Sequence, residues 1–151
     1  MNKKLFKTAR WIGLLIVIIS GLISIIATGG GGDGNGGGGG SGYNLEIDIS
    51  LMSEYGVGES TLSLDGNIIG RDTNPNNSAW SGITVNVKGV KSGWHTLTIT
   101  IVRQNRYEQH YGANGSIFDE DSGEAILLKT KAATLRAGES IVYQFNTSDL
   151  Q

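Results

Sequence analysis

Between Gly29 and Gly42 every position is glycine except Asp33, Asn35 and Ser41. A stretch with almost no side chains adds nothing to a core, and each glycine costs about 1 kcal/mol relative to alanine in a helix. The segment predicts a flexible linker with a root-mean-square reach of roughly 20 Å and a maximum near ~48 Å. It divides the 151-residue chain into a basic start (1–10), an apolar run (11–28), the linker itself (29–42) and a remainder (43–151) that must fold by its own means. The stretch "GDGNGGGG" lacks the Lys-Ser/Thr of a phosphate loop and the several carboxylates of a calcium repeat.

The apolar run carries no charge from Trp11 to Ala27, and eleven of its positions are Leu, Ile or Val. At about −0.3 to −0.6 kcal/mol each these sum to roughly −3 to −7 kcal/mol for insertion into a bilayer. As a helix the run spans ~26 Å, close to the ~30 Å of hydrocarbon, and Lys7 and Arg10 can snorkel to the headgroups. The expectation is a retained signal anchor at 11–28 with a cytoplasmic n-region at 1–10, following the positive-inside rule. A cleaved signal peptide is the alternative and would leave the rest secreted. Ser20, Ser24 and Thr28 fall four residues apart, the small-residue spacing that packs membrane helices and would permit self-association.

A basic start, an apolar run and then "IIATGGGGDG" resemble a bacterial lipoprotein signal, with Ala27 before the cleavage point and Thr28 where the lipidated cysteine stands. The resemblance implies a cell-envelope address. The departure removes lipidation, because threonine has no thiol to accept a diacylglycerol, so the helix itself must serve as anchor.

From Tyr43 the hydrophobic period becomes two. "NLEIDISL" sets Leu45, Ile47, Ile49 and Leu51 against Glu46, Asp48 and Ser50, and "GWHTLTITIV" sets Leu97, Ile99 and Ile101 against a row of threonines. "STLSLDGNIIG" holds an Asp-Gly hairpin signal, and "GITVNVKGV", "EAILLKTKAATL" and "ESIVYQFN" read as further strands. The prediction is all-β: an antiparallel sandwich of about seven strands over 43–151, preceded by one transmembrane helix and the linker. "LSLDGNIIG" followed by "VKSGWHTLTITI", with "LRAGESIVYQF" near the end, resembles bacterial surface domains of the PEGA and immunoglobulin-like kinds. That resemblance implies an immunoglobulin-like module with a structural or adhesive role and no active site. The segment after the hairpin, "RDTNPNNSAWSG", is longer and more polar than the family pattern.

Charge limits the partners. The first 42 residues hold four basic side chains against Asp33, and the remaining eight basic and thirteen acidic ones give the outer part a net −5. Phosphate backbones demand a basic field, so nucleic acid is excluded as a partner. Cysteine is absent, which removes disulfides, thiolate metal sites and cysteine nucleophiles together.

Few residues suggest chemistry, and no cofactor is implied. His95 shares a face with Leu97 and is expected to be a hydrogen-bonded structural histidine, while His110 has no fixed serine or second ligand nearby. Asp119, Asp121 and Glu124 around Gly123 form a weak calcium candidate, read more simply as a solvated acidic turn. More suggestive are Tyr107, Tyr111 and Arg106 in "NRYEQHYGANG" and Trp80 beside three asparagines, since aromatic faces with planar polar neighbours suit a protein or glycan interface. Trp94 points out from a threonine-lined face. The expected function is a non-enzymatic, membrane-tethered envelope module. Its partners would be lipid through 11–28 and an envelope protein or cell-wall polymer outside the inner membrane. The alternative is a carbohydrate-binding module for cell-wall or extracellular polysaccharide.

Overall fold

Alternating burial organises the chain from Tyr43 onward. The computed structural model describes residues 42–150; the basic segment, the apolar segment with Ser20, Ser24 and Thr28, and the linker up to Ser41 lie outside them. Eight strands follow one another: β1 (Tyr43–Met52), β2 (Glu59–Leu64), β3 (Asn67–Asp72), β4 (Trp80–Val90), β5 (Trp94–Arg103), β6 (Gln109–Asp119), β7 (Ala125–Leu135) and β8 (Ser140–Asn146). A 3-10 turn at Thr147–Leu150 closes the described chain, and no helix among these residues is long and apolar enough to cross a membrane.

The strands form two antiparallel four-stranded sheets, ordered β4-β1-β6-β7 and β3-β2-β5-β8. Leu45, Ile47, Ile49 and Leu51 of β1 and Leu97, Ile99 and Ile101 of β5 are buried in one shared core with Leu62, Ile117, Ile141 and Phe145. Each alternates with outward polar residues, which is how a sandwich buries one face of each sheet. The all-β, two-sheet prediction holds.

The strand count is eight rather than about seven, because "QHYGANGSIFD" forms β6, an inner strand that the hydrophobic pattern conceals. Its inward positions include Gln109, Tyr111, Ala113 and Ile117, so half of its core face is polar or small. Gly115 is required there, since a Cβ would fall 2.1 Å from the Asp48 carbonyl oxygen on β1.

Connectivity has an internal regularity. In β1–β4 the first and fourth strands lie side by side in one sheet while the second and third form a hairpin in the other; β5–β8 repeat this with the sheets exchanged. The body is thus two folded Greek-key halves placed side by side, joined by β1–β6 in one sheet and β2–β5 in the other. In the immunoglobulin constant-type order the first strand borders the second; here β1 lies between β4 and β6.

The two ends of the sandwich differ. At one end lie the four connections β1–β2, β3–β4, β5–β6 and β7–β8, each crossing between sheets. At the other lie the tight β2–β3 and β6–β7 turns, the short β4–β5 crossing, and Tyr43, where the chain enters β1. The Asp65-Gly66 turn has positive φ at both residues (50° and 83°), the type I′ geometry that matches hairpin twist.

Candidate binding end of the sandwich

Strand alternation in β6 turns Gln109 and Tyr111 into the interior at the four-loop end, where both are almost fully buried. Gln109 Nε2 donates to Ser53 Oγ at 2.8 Å and to the Gly56 carbonyl at 2.5 Å, tying β6 to the β1–β2 loop. The Tyr111 hydroxyl lies within hydrogen-bond reach of the Val57 carbonyl (3.2 Å) and Gln104 Oε1 (3.3 Å). Burial pushes this phenol up to about 12, so it is neutral at any physiological pH.

Gln104 then organises the β5–β6 loop from inside. Its Nε2 faces the carbonyls of Arg106, Tyr107 and Leu135 at 2.7, 2.9 and 3.2 Å. Asn105 reaches sideways, donating Nδ2 hydrogens to the Tyr55 carbonyl and to Asn77 Oδ1, each at 2.6 Å. Three loops from separate crossings are stitched together by side-chain amides. The β7–β8 turn is fixed separately, through the Gly138 amide to the Ile101 carbonyl and the Arg136 amide to Glu139.

This bracing leaves Arg106 and Tyr107 on the outside. Val102, Arg103, Gln104, Arg106, Tyr107, Arg136 and Ala137 line an open cleft of about 370 Å³. The Arg106 guanidinium stacks 4.9 Å from the Tyr55 ring centroid, and that of Arg136 lies 4.8 Å from the ring of Tyr107. Arg103 pairs with Glu59 at 2.6 Å and Arg136 with Glu108 at 2.5 Å, whereas Arg106 has no carboxylate partner among the described residues. Tyr107 is 79% exposed. The cleft offers a flat aromatic ring beside three guanidinium groups held on a braced frame.

Of the residues expected to bind a partner, Arg106 and Tyr107 therefore meet in one cleft. Tyr111 does not join them: it is a core residue whose hydroxyl is spent on the protein, so no external ligand can stack on it. Trp80 opens β4 on the outer face of its sheet, opposite Met52, and is half exposed but does not line the cleft. Its neighbouring asparagines are engaged locally: Asn74 exchanges two hydrogen bonds with Ser78, and Asn77 receives one from Asn105. Arg103, Arg136, Gln104 and Tyr55 were not anticipated. Arg103 closes the clearest strand in the chain immediately before the loop, a placement visible in the sequence; the approach of Arg136 from the β7–β8 turn depends on pairing that the sequence does not display.

The acidic turn is not assembled for a cation. Asp119 is buried, and hydrogen bonds from Ser122, followed by the Asp121 amide, outweigh desolvation and hold its carboxyl below the usual range. Asp121 accepts from Asn44 Nδ2, Glu124 is exposed, and no group of three potential ligands occurs among the described residues. Asp119 instead shapes the β6–β7 turn, replacing the calcium role considered for this trio.

His95 has a structural position, as expected. Its Nδ1 lies 2.7 Å from Asp65 Oδ2 and its Nε2 lies 2.7 Å from the Lys91 carbonyl, clamping the β2–β3 hairpin to β5. Partial desolvation of Asp65 works against its charge, but the Thr96 amide and His95 together hold its carboxyl below the usual range. His110 is exposed, and its Nδ1 lies 3.4 Å from the Thr134 hydroxyl.

Comparison with family models, curated proteins and solved structures gives no match in any of the three.

Proposed function

We propose that this chain is a non-enzymatic interaction module of the bacterial cell envelope. The apolar segment 11–28 anchors it in the inner membrane, residues 29–42 act as tether, and the sandwich stands outside. The observation that carries this reading is the division of labour between its ends. The chain enters β1 at one end, and the exposed Arg106–Tyr107 cleft lies at the other. Ten residues of strand separate them, about 33 Å at ~3.3 Å per residue. Attachment at one end leaves the opposite end free of the tether, and tethering raises the effective concentration for weak contacts.

The non-enzymatic reading is supported by what the candidate groups do. Both His95 nitrogens are spent on protein acceptors, and Asp119 is spent on its own turn. An exposed tyrosine beside a guanidinium favours the second reading, a carbohydrate-binding module, because sugar rings present C–H faces to aromatics and hydroxyls to planar donors.

Fractionation of cells expressing the full chain tests the anchoring. The expected result is retention in membranes after a carbonate wash, with the mature amino terminus ahead of Trp11 by mass spectrometry. A salt-soluble product trimmed near Thr28 would replace the anchor with a cleaved signal and a secreted domain.

A further inference from the structure

Resting on the reading of the four-loop end as the binding end, we infer that the Arg103–Arg106–Tyr107–Arg136 cleft binds a carboxylate-bearing sugar, the hexuronate unit of an acidic polysaccharide. The chemistry of the lining selects this class. The cleft is lined by three arginines, of which Arg103 and Arg136 are paired with Glu59 and Glu108 while Arg106 is not, and the rest of the outer body is net acidic. A guanidinium edge matches a carboxylate with two parallel N–H···O bonds, a geometry that an ammonium does not offer. Arg106 is the free fork: one face rests on Tyr55 and no acidic side chain is bonded to it.

Tyr107 supplies the other half. With Arg136 stacked on the ring and the residue 79% exposed, a broad aromatic surface remains open beside the arginines. A bare phosphate or sulfate has no use for that surface, whereas a pyranose ring carrying a carboxylate uses both features at once. The ~370 Å³ volume is at the small end of ligand sites, of a size for one or two sugar units, and the open sides let a polymer continue past it. The net −5 of the outer body disfavours polyanions as densely charged as polyphosphate, so recognition rests on short-range contacts with single units. The bracing by Gln104 and Asn105 means the loop is ordered before the ligand arrives, which reduces the entropy lost on binding.

The test uses the full chain in detergent micelles and isothermal titration against polygalacturonate, alginate, fully methyl-esterified polygalacturonate and polyphosphate. Binding of at least one of the two free-acid polymers is expected. It should weaken at least tenfold with the methyl ester, with Arg106→Ala and with Tyr107→Leu, and persist in Tyr107→Phe, which keeps the ring. Polyphosphate should bind at least tenfold more weakly. Thermal melts of each variant within a few degrees of the parent show that the loss is local. Failure of both free-acid polymers to bind, or equal binding of the esterified one, overturns the inference. Binding that ignores both Arg106→Ala and Tyr107→Leu overturns the site. A photo-crosslinker at Tyr107 separates this from failure of the wider reading. Arg106-dependent crosslinking to one identified envelope protein, with no polysaccharide bound, leaves the interaction module standing and removes the sugar.

Discussion

The two ends of the sandwich solve the same problem with different chemistry. Both must satisfy polar groups where strands stop. At the end where the chain enters, carboxylates are used: Asp65 meets His95 and the Thr96 amide, and Asp119 caps its own turn. At the four-loop end, neutral groups brace three crossings from inside, namely Gln104, Asn105, Gln109 and the Tyr111 hydroxyl, while the Arg103–Glu59 and Arg136–Glu108 pairs lie outside them. Neutral bracing inside leaves Arg106 facing outward with no carboxylate bonded to it. An end held from inside by amides can expose a guanidinium that an end held by its carboxylates would consume.

The largest expected effect comes from removing the centre of the neutral brace. Tyr111→Ala deletes a fully buried ring and should cost about 3–5 kcal/mol, in the range of aromatic-to-alanine core changes. For a body of this size that lowers the melting temperature by about 4–8 °C per kcal/mol. Tyr111→Phe keeps the ring and should cost only ~1 kcal/mol, for the orphaned Val57 carbonyl. A loss below ~1 kcal/mol in Tyr111→Ala would show that the loop end does not depend on this residue.

His95→Leu probes the charged end. It should cost about 1–2 kcal/mol: both hydrogen bonds of the buried imidazole are lost, while water can take over the half-exposed Asp65 carboxylate. The two ends should also fail at opposite extremes of pH. The folded-state pKa values of Asp65 and Asp119 are depressed, so their contribution is present above the unfolded value near ~3.9 and is lost as pH falls through the lower folded value. Tyr111 is raised to about 12, so its contribution is full below the unfolded value and is lost as pH climbs from about 10 toward 12. Melting curves across pH should show the acid loss reduced in His95→Leu and the alkaline loss reduced in Tyr111→Phe. Identical profiles in the two variants would dissolve the distinction between the ends.

This contrast also explains what could be read from the sequence. Strands that pack with aliphatic side chains announce themselves, as β1 and β5 do with Leu45, Ile47, Ile49 and Leu97, Ile99, Ile101. The Asp65-Gly66 hairpin and the inward His95 were equally legible, because turn chemistry and face are local properties. β6 was not. Its inward face opens with Gln109 and Tyr111, residues whose burial is stabilised by acceptors from a loop more than fifty positions away. The same opacity misled the reading of the site. Tyr107 and Tyr111 look equivalent in "RYEQHY", and only the start of β6 between them decides that one faces solvent and the other the core. Asn105 and Gln109, the amides that flank Tyr107 in the sequence, are spent internally by the fold.

The smallest expected effect lies just beneath the loop end, at Ser60. Its side chain points inward from β2, it is 1% exposed, and its hydroxyl has no hydrogen-bond partner. A buried hydroxyl without a partner is a net cost, so Ser60→Ala should leave stability unchanged or raise it by up to about 1 kcal/mol. The direction matters more than the size. If the amide network is what holds this end, a buried hydroxyl that bonds to nothing in it should be dispensable, and denaturant melts should show the midpoint level or higher. A drop of ~1 kcal/mol or more would mean that the Ser60 hydroxyl carries a bond of its own. The end would then contain a polar contact that the amide network does not account for.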